Sequence, residues 1–368
     1  MSVLKHVNPH VMKVTPYQPG RPIEEVAREL GLDPESIIKL ASNESPLGPS
    51  PKAVRAMKKA CSEMHRYPDG GAYYLRKRIS EHYNLPPDYF IFGCGSNEII
   101  EFIGHSFLYP GVSAVMSEKA FVIYRIICGM FGAEAIEVPM KGLTHNLRAM
   151  LKAIKEDTRV VFICNPNNPT GTMVGEKDVR KFMDKVPDDV LVVFDEAYAE
   201  ITYRRMPDTL SYVRENRNVI VLRSFSKAYG LAGLRVGYGM AKPELIRALE
   251  KSRQPFNVNS MAQIAAAAAL DDQGFVRRSR RIYKQGARQI MEACSEMGLV
   301  FEPPVANFML IKVGNGFEVF NELQKKGVIV RPMGPYKLPE WIRVSIGTEA
   351  ENTRFVSSLK EVVNASKK

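Results

Sequence analysis

The sequence predicts an α/β protein: a three-layer αβα large domain around a mainly parallel sheet, joined to a smaller α+β domain. Three observations lead there. Short β-branched or aromatic runs alternate with helical segments of about 10–15 residues through the middle of the chain, which is the pattern of βαβ units. Clusters of glycine, asparagine or carboxylate follow directly on several of those runs, at the carboxyl ends where open α/β sheets bind ligands. A length of 368 residues with 45% hydrophobic content exceeds what one core usually supports, so a second domain is expected.

The large domain is bounded at 46–257. Within it, strands are expected at 89–92, 114–116, 159–164, 190–194 and 219–222, and helices at 99–108, 124–131 and 176–185. The run Val219-Ile220-Val221-Leu222 has the continuous β-branched character of a strand buried on both faces. Residues 1–45 and 258–368 make the small domain with an amino-terminal arm. There a helical stretch at 260–297 precedes strands at 309–311, 328–330 and 342–344, with a short helix at 319–326.

Composition excludes several classes. The longest apolar run, around 261–270, is too short and alanine-rich to span a bilayer, and Met1-Ser2-Val3-Leu4-Lys5-His6 has no apolar signal core, so a soluble cytoplasmic protein is expected. Cys61, Cys94, Cys128, Cys164 and Cys294 are odd in number and form no C-x-x-C pair, which reads as reduced thiols. No metal site is expected, because Pro9 interrupts the spacing of His6 and His10 and no other histidines cluster. The formal charge of +11 is densest at Arg277-Arg278-Ser279-Arg280-Arg281. That run continues into Ile282, Tyr283, Gly286 and Ile290 as an amphipathic helix with a solvated basic face, and without interleaved aromatics it does not read as nucleic-acid binding. Attraction of phosphorylated small molecules is the better use of the charge.

Four motifs fall at strand ends. In Ser224-Phe225-Ser226-Lys227-Ala228-Tyr229-Gly230-Leu231-Ala232-Gly233-Leu234-Arg235, a lysine follows a strand among hydroxyls and an arginine. Burial beside a second cation lowers an amine's pKa toward the range where it attacks a carbonyl, although any one of 51 basic residues is by default an ordinary surface charge. Gly93-Cys94-Gly95-Ser96-Asn97-Glu98 follows a strand and opens a helix, so it is either a tight turn or an anion site at free backbone N–H groups. Asn165-Pro166-Asn167-Asn168-Pro169-Thr170-Gly171 is a loop that can also hold an amide side chain over a cleft. Asp195-Glu196-Ala197-Tyr198 supplies a carboxylate, as ligand group or helix cap, together with a phenol.

These groups answer one chemical problem. Pyridoxal phosphate needs a lysine for its aldehyde, a carboxylate to keep its ring nitrogen protonated, donors to its phenolic oxygen and an anion site for its phosphate. The separations 195 − 168 = 27, 227 − 195 = 32 and 235 − 227 = 8 residues each fit one strand-to-strand step or a loop, so the groups can share one cleft.

Over most of its length, from about Val14 to Thr348, the sequence resembles the fold-type-I pyridoxal-phosphate aminotransferases, and among them the histidinol-phosphate aminotransferase family. The resemblance is carried by Pro16-Tyr17-Gln18-Pro19-Gly20, Lys39-Leu40-Ala41-Ser42-Asn43-Glu44, Arg66-Tyr67-Pro68-Asp69-Gly70, Asn168-Pro169-Thr170-Gly171, Ser224-Phe225-Ser226-Lys227 and Ile342-Arg343-Val344-Ser345-Ile346-Gly347-Thr348. It implies that Lys227 attaches the cofactor and later moves a proton, that Asp195 pairs with the ring nitrogen, and that Asn168 and Tyr198 bond the phenolic oxygen. By the same resemblance Phe121 stacks on the ring, and Gly95, Ser96, Asn97, Ser224, Ser226 and Arg235 form the phosphate clamp. Family dimers add a tyrosine from the neighbouring subunit, here Tyr67. Arg331 and Arg343 match the substrate's anion-binding arginines, with Tyr17, Asn43 and Tyr124 lining the pocket. Ser45, Cys94, Asn97 and Lys119 depart from the usual family pattern, and Lys119, beside the stacking ring, bears on substrate preference.

The resemblance thus implies a homodimeric transaminase that exchanges an amino group between L-histidinol phosphate and 2-oxoglutarate in histidine biosynthesis. An aromatic amino-acid aminotransferase and a threonine-phosphate decarboxylase are the alternatives on the same scaffold. A cofactor-sensing transcription regulator would carry a DNA-binding domain, and the roughly 45 residues ahead of the large domain hold no helix-turn-helix pattern.

Overall fold

The computed structural model describes residues 3–365, so positions 1–2 and 366–368 of the expected small domain lie outside the described residues. Its strands are β1 (Ile38–Lys39), β2 (Phe90–Gly93), β3 (Ser113–Ser117), β4 (Glu134–Val138), β5 (Thr158–Cys164), β6 (Leu191–Asp195), β7 (Val219–Ser224) and β8 (Gly237–Ala241), followed by β9 (Phe301–Glu302), β10 (Phe308–Lys312), β11 (Val328–Ile329), β12 (Arg331–Pro332) and β13 (Trp341–Ser345). Seven of them form one sheet in the order β2-β8-β7-β6-β5-β3-β4. All neighbours in it run parallel except β8, which is antiparallel to both β2 and β7.

The side chains of this sheet explain its layers. Val161, Ile163, Val192, Phe194, Val219 and Val221 enter one buried apolar cluster, while Val160, Phe162, Leu191, Val193, Ile220 and Leu222 enter another. Successive residues of a strand point to opposite faces, so a continuous apolar run here means a sheet covered on both sides by helices. The three-layer α/β expectation is therefore met.

Two strands escape the apolar signal for opposite reasons. Edge strand β4, Glu-Ala-Ile-Glu-Val, carries a glutamate on each face because at the sheet edge it is only partly buried. Central strand β8, Gly-Tyr-Gly-Met-Ala, is fully buried yet glycine-rich. At Gly237 a Cβ would lie 2.3 Å from the Ser96 backbone nitrogen, and at Gly239 it would lie 3.0 Å from Ile220 and 3.1 Å from Ile91. Glycine is required where the helix Ser96–Phe107 starts against the sheet.

The small lobe has an antiparallel sheet, β12-β13-β10-β9, and the parallel pair β1-β11. The stretch expected as helical at 260–297 is two helices, Ser260–Leu270 and Gln273–Glu296, because Asp272 caps the second by accepting from Phe275 N. In that second helix Arg277, Arg278, Arg280 and Arg281 face solvent while Phe275, Val276, Ser279 and Tyr283 are buried, as the amphipathic reading expects. Among the described residues no helix is long and apolar enough to cross a membrane. All five cysteines are free.

Gly237→Ala should destabilise the protein by about 2–3 kcal/mol, the usual effect of overpacking against backbone that cannot yield. Chemical denaturation would measure it, and a change under about 0.5 kcal/mol would contradict the packing described here.

Candidate active site

Register brings the strand-end motifs together. Cys164 lies opposite Asp195, and Asp195 opposite Leu222, so β5 and β6 end level, β7 runs two residues further to Ser224, and their following loops open on one side. Further along the sheet Gly93 and Ser224 both lie opposite Gly237. Arg331, Tyr336 and Arg343 face this edge across a cavity of about 390 Å³.

Lys227 projects into that cavity. Its amine donates to the Ser42 carbonyl at 3.2 Å and sits 5.8 Å from the centre of the Tyr198 ring. Burial, then the charge of Arg343, push the amine down to about 8, while Glu44 works in the opposite direction. Below that pH the group is charged, and above it the amine is free to act as nucleophile or base.

Asp195 is 4% exposed. Burial raises its carboxyl, opposed by the Tyr124 hydroxyl, which donates to Oδ2 at 2.7 Å, and by Ala197 N, which donates to Oδ1 at 3.2 Å. The Tyr198 hydroxyl accepts from Asn43 Nδ2 at 3.1 Å, and burial holds it protonated. The Asn165–Gly171 loop is fixed by its own side chains: Asn165 Nδ2 donates to Val174 O at 3.1 Å, and Asn167 Nδ2 to Lys119 O at 2.9 Å. It presents Asn168, whose Oδ1 accepts from Arg343 Nη1 at 2.5 Å, which leaves the amide's donor for a ligand oxygen.

One corner is built for an anion. Gly95 has φ +78° and caps the helix Ser96–Phe107 with no side-chain bond, so its first backbone N–H groups are free. A Cβ at Gly95 would lie 2.5 Å from Arg235 Nη2, so a larger residue there would displace the guanidinium. Arg235 Nη1 donates to Ser226 Oγ at 3.4 Å, and Ser226 N to Ser224 Oγ at 3.1 Å. Asn97 Oδ1 is buried and receives no hydrogen bond.

The opposite wall carries a second cationic group. Arg331 on β12 lies directly across from Arg343 on β13. Like charges opposite one another in a sheet repel, so this pair favours an anion between them. Arg343 is 7% exposed and donates to Ala41 O at 2.7 Å, while its Nε is buried without a partner. Arg331 donates to Gln18 O at 2.6 Å and lies 5.7 Å from the Tyr17 ring centre.

A family model for aminotransferase class I and II matches residues 35–359. The chain belongs to that family. The histidinol-phosphate aminotransferase of Akkermansia muciniphila is 53% identical over 364 residues, 99% of this chain and 100% of the relative, and that of Methylobacillus flagellatus is 47% identical over 96% of each chain. The crystal structure of histidinol-phosphate aminotransferase from Sinorhizobium meliloti in complex with pyridoxal-5'-phosphate superposes with a TM-score of 0.91 at 26% identity, covering 99% of both chains.

In this class I and II aminotransferase, Tyr17, Asn43, Gly95, Ser96, Asn97, Phe121, Asn168, Asp195, Tyr198, Ser224, Ser226, Lys227, Arg235, Arg331 and Arg343 line the one cavity. Two candidate residues lie outside it, and for Tyr67, expected to serve a neighbouring subunit, that is no departure. Tyr67 is 84% exposed outside it, stacked on Phe256 with ring centres 5.0 Å apart. Tyr124, expected to line the substrate pocket, is fully buried behind Asp195 and stacked on Phe162 with centres 4.6 Å apart. The helix Ile123–Phe131 turns its ring into the buried cluster beside the sheet, against which Phe121 also packs.

Sequence reasoning missed Ser42, whose backbone oxygen meets Lys227, and Tyr336, a wall residue. It also missed His145, buried between Ser117 Oγ at 2.6 Å and Cys164 O at 2.7 Å and pushed down to about 4 by burial. Adjacency to Asn43 was the one available signal for Ser42; a lone tyrosine or histidine carried none.

In cofactor-free protein, the rate of Lys227 modification by an amine-reactive reagent should titrate with a midpoint near 8, not 10.5, and Arg343→Gln should move that midpoint upward. Peptide mapping of the modified lysine gives the measurement, and a midpoint near 10.5 would contradict the environment described.

Proposed function

We propose that the chain is a pyridoxal-phosphate-dependent aminotransferase that exchanges the amino group between L-histidinol phosphate and 2-oxoglutarate in histidine biosynthesis. The observation that carries this reading is one cavity in which an amine lowered to about 8 faces a buried carboxylate, with an anion corner on one side and an opposed arginine pair on the other. The names of the relatives at 53% and 47% identity support the substrate.

The residues present fit the cofactor. The uncapped amino terminus of the helix Ser96–Phe107 and the close packing of Arg235 on Gly95 put backbone N–H donors beside a guanidinium, the donor set a phosphate needs. Gly95, Ser96, Asn97, Ser224, Ser226 and Arg235 would hold that phosphate, Asp195 the ring nitrogen, Asn168 and Tyr198 the phenolic oxygen, and Phe121 a ring face. When bound, pyridoxal phosphate supplies an aldehyde for amines and a ring that accepts electrons from the substrate carbon. Lys227 contributes an amine that binds the aldehyde and, once free, carries a proton at Nζ. Arg331 and Arg343 orient the substrate's anion, a phosphate in one half-reaction and a carboxylate in the other. Tyr17 and Tyr336 line the wall of the cavity, where they would shield bound substrate from water.

The aromatic wall of Tyr17, Phe121 and Tyr336 also favours a second reading, an aromatic amino-acid aminotransferase. Steady-state assay with histidinol phosphate and phenylalanine as donors decides between them: kcat/KM should be higher for histidinol phosphate, and a large preference for phenylalanine would overturn the first reading. Release of CO2 from a phosphorylated amino acid would overturn both.

A homodimer and a cytoplasmic location belong to the same proposal, as does division into domains at 46–257 and at 1–45 with 258–368. The separate sheets of the two lobes support the division, and five free cysteines suit a reducing compartment. In this reading the exposed Tyr67, on its stacked Phe256, serves a second copy's phosphate corner. Tyr67→Phe should weaken cofactor retention several-fold without dissociating the dimer; unchanged affinity would remove Tyr67 from the site.

A further inference from the structure

Tyr124 is a buried titratable group that sequence resemblance assigns to substrate and that the structure removes from the substrate cavity. Its ring is fixed from two sides, stacked on Phe162 at 4.6 Å with an interplanar angle of 6° and edge-on to Phe121 at 5.8 Å. From there its hydroxyl reaches Asp195 Oδ2 at 2.7 Å, while Ala197 N approaches Oδ1 from the other direction at 3.2 Å. The two contacts restrain rotation of the carboxyl group. Burial and the charge of Asp195 raise the phenol well above 10, so at working pH it keeps its proton and donates it to the carboxylate. Cys164 and Tyr198, the other titratable neighbours, are likewise held protonated by burial, with the Asp195 charge adding to the effect.

We propose that Tyr124 is a positioning residue for Asp195: its donated hydrogen bond holds the buried carboxylate ionised and oriented to receive a protonated ring nitrogen. This rests on the cofactor reading above. It assigns to the phenol a task that acts through Asp195 alone, so its effect depends on whether the bound ring has a nitrogen. A general packing role would not make that distinction.

The test compares pyridoxal phosphate with its carbocyclic analogue, which carries CH in place of the ring nitrogen, by fluorescence titration of cofactor-free protein. Tyr124→Phe keeps the ring and its stacking. It should raise the Kd of pyridoxal phosphate roughly ten- to hundredfold, the worth of a hydrogen bond to a charged group, and leave the Kd of the analogue within about twofold. Equal weakening of both, or of neither, would overturn the proposal. In the cofactor-free protein, the carboxyl infrared band assigned through Asp195→Asn should titrate at higher pH in Tyr124→Phe than in the native chain, and an unchanged titration would also overturn it. A native protein that binds neither compound would overturn the functional reading, while the infrared titration would still test the hydrogen bond.

Discussion

The site depends on how the ends of β6 and β7 are held. Asp195 and Ser224 face the cavity, while their neighbours Glu196 and Arg223 meet elsewhere as a buried pair, Glu196 Oε2 to Arg223 Nη2 at 2.6 Å. Thr209 Oγ1 donates to Glu196 Oε1 at 2.6 Å, and Glu200 takes the second arm of Arg223 at 3.0 Å. Removing one member of such a pair leaves an uncompensated buried charge, which costs about 3–5 kcal/mol. The pair therefore ties the residue after β6 to the penultimate residue of β7, beside the cavity-facing Asp195 and Ser224.

On that frame the electrostatics are one-sided. Lys227, Arg235, Arg331 and Arg343 line the cavity against two carboxylates, Asp195 and Glu44. The excess of positive charge favours anionic ligands and, with burial, holds the Lys227 amine at about 8. The two carboxylates serve different ends. Glu44 pairs with Lys39 at 3.2 Å and opposes the lowering of Lys227, whereas Asp195 lies deeper and is held by Tyr124 and Ala197.

What could be read in the sequence divides along physical lines. Strands buried on both faces announce themselves as β-branched runs, and loops at their ends carry glycine, proline and asparagine, so most of the large sheet and its chemical groups were legible. Strand β8 was not, because close approach of Ser96 to Gly237 demands the residue that most weakens a strand signal. The break between the two long carboxyl-terminal helices turns on Asp272, one capping side chain in a strongly helical context. Tyr124 was misplaced because proximity in sequence to Phe121 does not reveal which side of a short helix meets the sheet. Ser42 acts through its backbone oxygen, and no side-chain pattern records that contact.

Residues 40–44 join the two halves of the chemistry. Ser345 N donates to Leu40 O at 2.8 Å, Arg343 to Ala41 O, Asn307 Nδ2 to Asn43 O at 3.0 Å, and Asn43 Nδ2 to Tyr198, while Lys227 donates to Ser42 O. Arg343 thus shares a five-residue segment with the lysine whose charge it opposes. An anion at Arg343 competes with Asn168 and Ala41 for its N–H groups and offsets the positive charge acting on Lys227. Both effects act in one direction: with the anion in place, the amine holds a proton more readily. Arg343 and Lys227 are therefore coupled both through charge and through the backbone of residues 40–44.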